Sequence, residues 1–195
     1  MPLLLTSQGL STPRIAQAFQ ESLDLKKARV ALFMTAAESD KSYTTVCLRE
    51  LQEAGCGDIR QREMDHQFLP NEFSDLDAIY VAGGNTFLLM QKMRECGFKN
   101  ALIPFLDRGG LYVGVSAGSI VVGPSIEIAG PWDPNEVGLT DLTGLEIVDF
   151  AVTPHYDKKD QTIINELQKK ASYEIVPLTD QQAMFIDGGK RTLIE

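Results

Sequence analysis

Histidine occurs twice in these 195 residues and cysteine three times, while 27 acidic side chains outnumber 18 basic ones. Each scarcity excludes something. Two separated histidines, His66 and His155, with no Cys/His cluster around either do not make a zinc site, and no cofactor is expected. Cys47, Cys56 and Cys96 are odd in number and lack C-x-x-C spacing, which favours free thiols in a reducing cytoplasm over a disulfide framework. A net charge of −9 leaves no basic face to neutralise phosphates, so neither nucleic acid nor an anionic membrane is an expected partner. No stretch approaches the ~20 apolar residues of a spanning helix. Met1-Pro2-Leu3-Leu4-Leu5 has no basic flank and too short an apolar run for a signal peptide. Low-complexity tracts and Pro-rich or Gly/Ser-rich linkers are missing as well, so residues 1–195 are expected to form one cytoplasmic domain.

What is present is an alternation of short apolar runs with amphipathic segments. Strands are expected at residues 3–5, 28–34, 58–62, 76–82 and 111–115, with helices starting at Ser11-Thr12-Pro13 and Thr86 and covering 42–54 and 100–108. The second half is less regular. It reads as an exposed loop over 125–136, one or two strands within 145–152, a helix over 160–171, a strand over 173–176 and a terminal hairpin from 183–186 and 191–194. Strands alternating with helices imply right-handed crossovers and a largely parallel sheet covered on both faces. In such sheets function collects at the carboxyl ends of the strands.

The organising stretch is Leu111-Tyr112-Val113-Gly114-Val115-Ser116-Ala117-Gly118, an apolar strand stopping at a glycine-flanked serine before a helical segment. That is the layout of a nucleophile elbow, where small neighbours suit a crowded turn and the helix N-terminus aims free N–H groups at developing negative charge. A serine hydroxyl needs a neighbouring base. His155, after an apolar strand and Pro154, is the stronger candidate, since His66 sits in a polar loop. The acid that would orient the imidazole has three candidates, Asp157, Asp133 and Asp180, and residue chemistry alone leaves all three open. Gly83-Gly84 after a buried strand suits an oxyanion hole, with the Ala117 N–H as second donor, each such donor being worth ~3 kcal/mol in a transition state. The simpler reading of Gly83-Gly84-Asn85-Thr86 is a tight turn with Asn85 or Thr86 capping the next helix.

Taken together, Val81-Ala82-Gly83-Gly84-Asn85-Thr86-Phe87, the elbow and Thr153-Pro154-His155-Tyr156 are collinear, and over most of its length the chain resembles the peptidase E family of serine peptidases, related to cyanophycinases. The resemblance implies an α/β three-layer sandwich with a mostly parallel central sheet, flavodoxin-like as in class I glutamine amidotransferases, with serine replacing their cysteine. It implies Ser116 as nucleophile, His155 as base, and Gly84 and Ala117 as oxyanion donors. It matches the acid to Asp180, where family members often carry glutamate, and puts a second acidic position near Asp133. Asn85 and Asp133 are the expected substrate-binding residues, and a small peptide is the expected substrate. The segment after His155 lacks the arginine with which aspartyl dipeptidases hold their substrate's carboxylate, so strict N-terminal aspartate preference is not expected. The expected function is dipeptidase-like hydrolysis of amide bonds. The alternatives are a catalytically silent ligand-binding or regulatory module of the same fold, and an esterase or amidase acting on a non-peptide acyl group.

Overall fold

The apolar runs at 3–5, 30–33, 78–81 and 111–115 are continuous, and because successive side chains of a strand point to opposite faces of the sheet, both faces are buried. In the computed structural model, which describes residues 1–37 and 41–195, five strands run parallel: β1 (Leu3–Thr6), β2 (Arg29–Phe33), β3 (Asp58–Arg62), β4 (Ala78–Val81) and β5 (Leu111–Val115). Two more, β8 (Ala183–Asp187) and β9 (Lys190–Ile194), close the sheet as the terminal hairpin, with β8 antiparallel to β1. The seven strands lie in the order β3-β2-β4-β5-β1-β8-β9.

Leu4, Val30, Leu32, Tyr80 and Val113 face one side, packing with α1 (Pro13–Glu21) and α2 (Lys41–Glu53). Leu3, Leu5, Phe33, Val81 and Tyr112 face the other, where α3 (Thr86–Glu95), α4 (Phe98–Asp107) and the one-turn α5 (Ala117–Ile120) lie. Continuous apolar runs buried on both faces are what a parallel sheet between helical layers requires. The early helix start is also as expected: Thr12 caps α1, its hydroxyl accepting from the Ile15 N–H at 3.2 Å, with Pro13 in the first turn.

The second half departs from the sequence reading in three places. Residues 145–149 are not strand. The chain there is held by N–H bonds from Leu145 to the Val121 carbonyl and from Ile147 to that of Val122, and strand begins only at β6 (Phe150–Thr153), where a partner is available. That partner is β7 (Glu174–Pro177), reached through α6 (Gln161–Lys170), and the two form their own parallel two-stranded sheet outside the central one. The expected exposed loop at 125–136 is half interior. Ile126, Ile128 and Ala129 are buried around a 3-10 turn at Glu127–Ala129, while Trp132 remains 44% exposed. The three buried residues pack on the same core as α3 and α5.

Candidate active site

The carboxyl ends of β1, β2, β4 and β5 open into one cavity of about 610 Å³, lined among others by Ser7, Ala36, Gly84, Ser116 and His155. Ser116 leaves β5 with φ 51° and ψ −111°, a strained conformation for a residue with a side chain, of the kind that costs ~1–3 kcal/mol and persists only where its surroundings enforce it. The enforcement is visible. The Thr6 carbonyl at the end of β1 accepts from the Ser116 N–H at 3.0 Å and from the Ser119 hydroxyl at 2.8 Å. Tyr112 donates its buried hydroxyl to the Gly118 carbonyl at 2.7 Å. The flanking glycines are needed for close approach: a Cβ on Gly114 would lie 2.5 Å from the Gly118 carbonyl oxygen, and one on Gly118 would lie 2.3 Å from that of Val81. α5 is a single turn, shorter than the apolar run to Val122 suggested, so local N–H groups rather than a long-helix dipole face the cavity.

His155 and Asp180 are delivered by the small sheet. β6 ends at Thr153 and β7 at Pro177, and the ladder continues past both ends through Leu178 N–H to Thr153 carbonyl (2.9 Å) and Tyr156 N–H to Leu178 carbonyl (3.0 Å). This zipper holds the two following loops side by side. His155 Nε2 lies 3.0 Å from Ser116 Oγ and its Nδ1 lies 2.6 Å from Asp180 Oδ1. Both side chains are about half exposed, 51% and 49%, so a ligand can reach them. His155 itself has φ 58°, and its backbone N–H is held at 2.7 Å by the hydroxyl of Ser7.

Of the three acids left open by the residues, the structure brings only Asp180 to the imidazole. Asp157 caps the 3-10 turn Lys158–Asp160, its carboxylate accepting from the Lys159 N–H at 3.2 Å. Asp133 accepts from the Thr86 N–H at 2.8 Å. Asn85 caps α3, its Oδ1 taking the Leu88 N–H at 2.9 Å, and its amide nitrogen donates to the Pro134 carbonyl at 2.8 Å. The two residues assigned to substrate binding thus tie the 125–136 loop to the start of α3, and neither borders the cavity. His66 is a solvated loop residue beside Asp65 and Glu72, as its setting suggested.

The glycine pair divides its labour. Gly83 donates its N–H to the Tyr43 hydroxyl at 3.1 Å. Gly84 turns with φ 125°, and a Cβ there would sit 2.2 Å from the Ala36 carbonyl oxygen. The N–H groups of Gly84 and Ala117 have no hydrogen-bond partner among the described residues.

Sequence reasoning missed four side chains here. Ser7 is fully buried, donates to Asp180 Oδ1 at 2.8 Å while accepting from His155, and therefore braces both. Ser119 locks the elbow to β1, Tyr43 holds Gly83, and Glu50 lines the cavity. None sits in a motif whose spacing announces its role. Ser7, directly after β1 in a sheet whose strand ends carry the site, offered the one readable hint.

Fold and site together define an α/β enzyme of the flavodoxin-like class, with its cleft where the parallel strands end. The sequence matches Peptidase family S51 over residues 3–194, and the chain belongs to that family of peptidases. A candidate peptidase E protein from Listeria monocytogenes EGD-e, known from its crystal structure, superposes with a TM-score of 0.84 at 27% identity, covering 100% of this chain and 98% of that one. Uncharacterized peptidase Lmo0363 of Listeria monocytogenes is 35% identical over 119 residues, 57% of this chain and 57% of that protein. Peptidase E of Streptomyces coelicolor is 32% identical over 130 residues, 66% of this chain and 51% of its own length. These two matches span little more than half of the relatives concerned. Among the described residues, no helix is long and apolar enough to cross a membrane.

Proposed function

We propose that this peptidase is of the serine type and hydrolyses amide bonds of small peptides, dipeptides foremost. The observation that carries the reading is the unbroken chain from Ser116 Oγ through both nitrogens of His155 to Asp180, at 3.0 and 2.6 Å. In that arrangement Ser116 Oγ attacks the scissile carbonyl while His155 Nε2 takes its proton. Asp180 holds the imidazole in the tautomer that leaves Nε2 free to accept, and stabilises the imidazolium as it forms. The N–H groups of Gly84 and Ala117 receive the oxyanion. His155 then returns the proton to the departing amine, and water completes the second half-reaction by the same path. The cavity volume, about 610 Å³, falls within the range of small-molecule sites (roughly 300–1,000 Å³) and supports a short substrate.

Covalent labelling tests the nucleophile. An active-serine phosphonate is expected to modify the wild-type protein once, and Ser116→Ala to abolish the labelling while circular dichroism and melting stay those of the wild type. Equal labelling of the two proteins would remove Ser116 from its role.

A further inference from the structure

The cavity beside Ser116 contains a charged group that the proposed chemistry does not use. Glu50, on α2, lines the same space as Gly84, Ser116 and His155. Its Oε2 accepts from the Leu10 N–H at 3.2 Å and from the Tyr80 hydroxyl at 3.1 Å. Gly9 packs so closely that a Cβ there would come within 2.4 Å of that oxygen. Both hydrogen bonds fall on Oε2. Oε1 has no hydrogen-bond partner, and no ion pair includes Glu50, among the described residues. The walls around it are largely apolar, from Ala36, Ala37, Val46 and Val115. Apart from Glu50 and His155, no acidic, basic or histidine side chain lines the cavity among the described residues.

A carboxylate oriented by two donors, half-buried against apolar walls and without an ion pair among the described residues is incompletely compensated for the water it has lost, the charge of neighbouring Arg49 offsetting burial only in part. Burial accordingly holds the Glu50 carboxyl above its ordinary value. A ligand cation would complete the site, and a ligand carboxylate would meet like charge. The molecule's net charge of −9 adds to that bias at longer range. We infer that Glu50 is the specificity-determining carboxylate of this cleft, and that the substrate residue filling the cavity carries a primary ammonium or guanidinium side chain. The inference rests on the reading of this cleft as a peptidase site with Ser116 as nucleophile, and it gives that reading a substrate class: peptides containing lysine, ornithine or arginine rather than aspartate.

The test is a dipeptide panel in which lysine, arginine, norleucine or aspartate occupies the acyl side of the scissile bond, or else the leaving side, with leucine opposite. Wild-type protein and Glu50→Gln are compared, and phosphonate labelling of each is run in parallel. Norleucine matches the lysine stem without its charge, and glutamine keeps an oxygen for Leu10 and Tyr80. In one of the two positions, lysyl and arginyl peptides are expected to exceed norleucyl in kcat/KM by roughly tenfold or more, with aspartyl lowest. In Glu50→Gln the lysine-to-norleucine ratio is expected to fall toward one. A labelled wild-type protein that treats lysine and norleucine alike, or cleaves no member of the panel, overturns the inference and leaves the nucleophile standing. So does an undiminished ratio in Glu50→Gln, which would reduce Glu50 to a structural tie between the loop after β1, β4 and α2. Loss of labelling in the wild type instead overturns the peptidase reading beneath it. Should Glu50→Gln not fold, the wild-type ratios decide alone.

Discussion

At the scale of single residues, the site depends on a side chain that does no chemistry. The Ser7 hydroxyl satisfies the His155 backbone N–H and donates to the oxygen of Asp180 that also faces the imidazole. Ser7→Ala would leave the His155 N–H without its acceptor, a loss of about 1–3 kcal/mol when the group is buried, and would free two loops that must stay in register. We expect kcat to fall by up to about 10²-fold with a smaller change in KM, because small displacements of a base weigh most on the transition state. Urea melts would read the stability loss and steady-state assays the split between kcat and KM; an unchanged kcat would show that the histidine is held by other contacts. That Ser116 and His155 meet is legible in the sequence as an expectation, because the chain offers so few bases and only one G-x-S-x-G serine after an apolar strand. Residue chemistry alone does not separate the acid, since aspartates are plentiful; the family resemblance points to Asp180, while in the structure Asp157 caps its own turn and Asp133 accepts from the remote Thr86 N–H. The same limit applies to Asn85, whose contacts are not legible from its neighbours along the chain. Its amide satisfies a cap and a loop carbonyl at once, and the carbonyl comes from Pro134, far along the chain.

At the scale of elements, the elbow works because three backbones approach more closely than side chains allow. Gly114, Gly118 and the Val81 carbonyl meet where β5, α5 and β4 converge. Gly118→Ala would place a methyl group 2.3 Å from the Val81 oxygen, and both are backbone-anchored, so neither can move aside. The substitution is expected to cost about 3 kcal/mol or more and to displace Ser116 from His155, lowering Tm and phosphonate labelling together. A variant with unaltered melting and labelling would contradict this account of the glycine spacing. The glycine-serine-glycine pattern was legible because its cause is local crowding within five residues. The small sheet was not. β6 and β7 look like ordinary strands in sequence, and nothing within either says that they pair with each other and stay out of the central sheet. Yet that pairing, continued through Leu178 and Tyr156, is what sets the histidine loop beside the acid loop.

At the scale of the whole molecule, two apolar cores on either side of the sheet enclose all three thiols. Burial pushes Cys47, Cys56 and Cys96 each up to about 11. Native protein is therefore expected to react slowly with a disulfide reagent near neutral pH and to release three equivalents after denaturation. The folded thiols keep their protons to a higher pH than the unfolded ones, so between about pH 9 and pH 11 the folded state binds more protons and stability falls as pH rises. Denaturant melts across that window would show the decline, and three fast-reacting thiols in the native protein would contradict the burial that causes it. On this scale, what the sequence determined by itself is the set of statements that rest on neighbours along the chain: alternating strands and helices, a parallel sheet buried on both faces, a crowded serine turn, a scarcity of bases that singles out His155. What only the tertiary structure shows depends on distances between segments remote in sequence: the contact of Asp180 with His155, the bracing by Ser7, and the carboxylate of Glu50 in the cavity. Backbone propensity and hydrophobic period act over a few residues and leave a signature in order. Hydrogen bonds and charge complementarity act through space, and the folded chain brings their partners together only once its long-range pairings have formed.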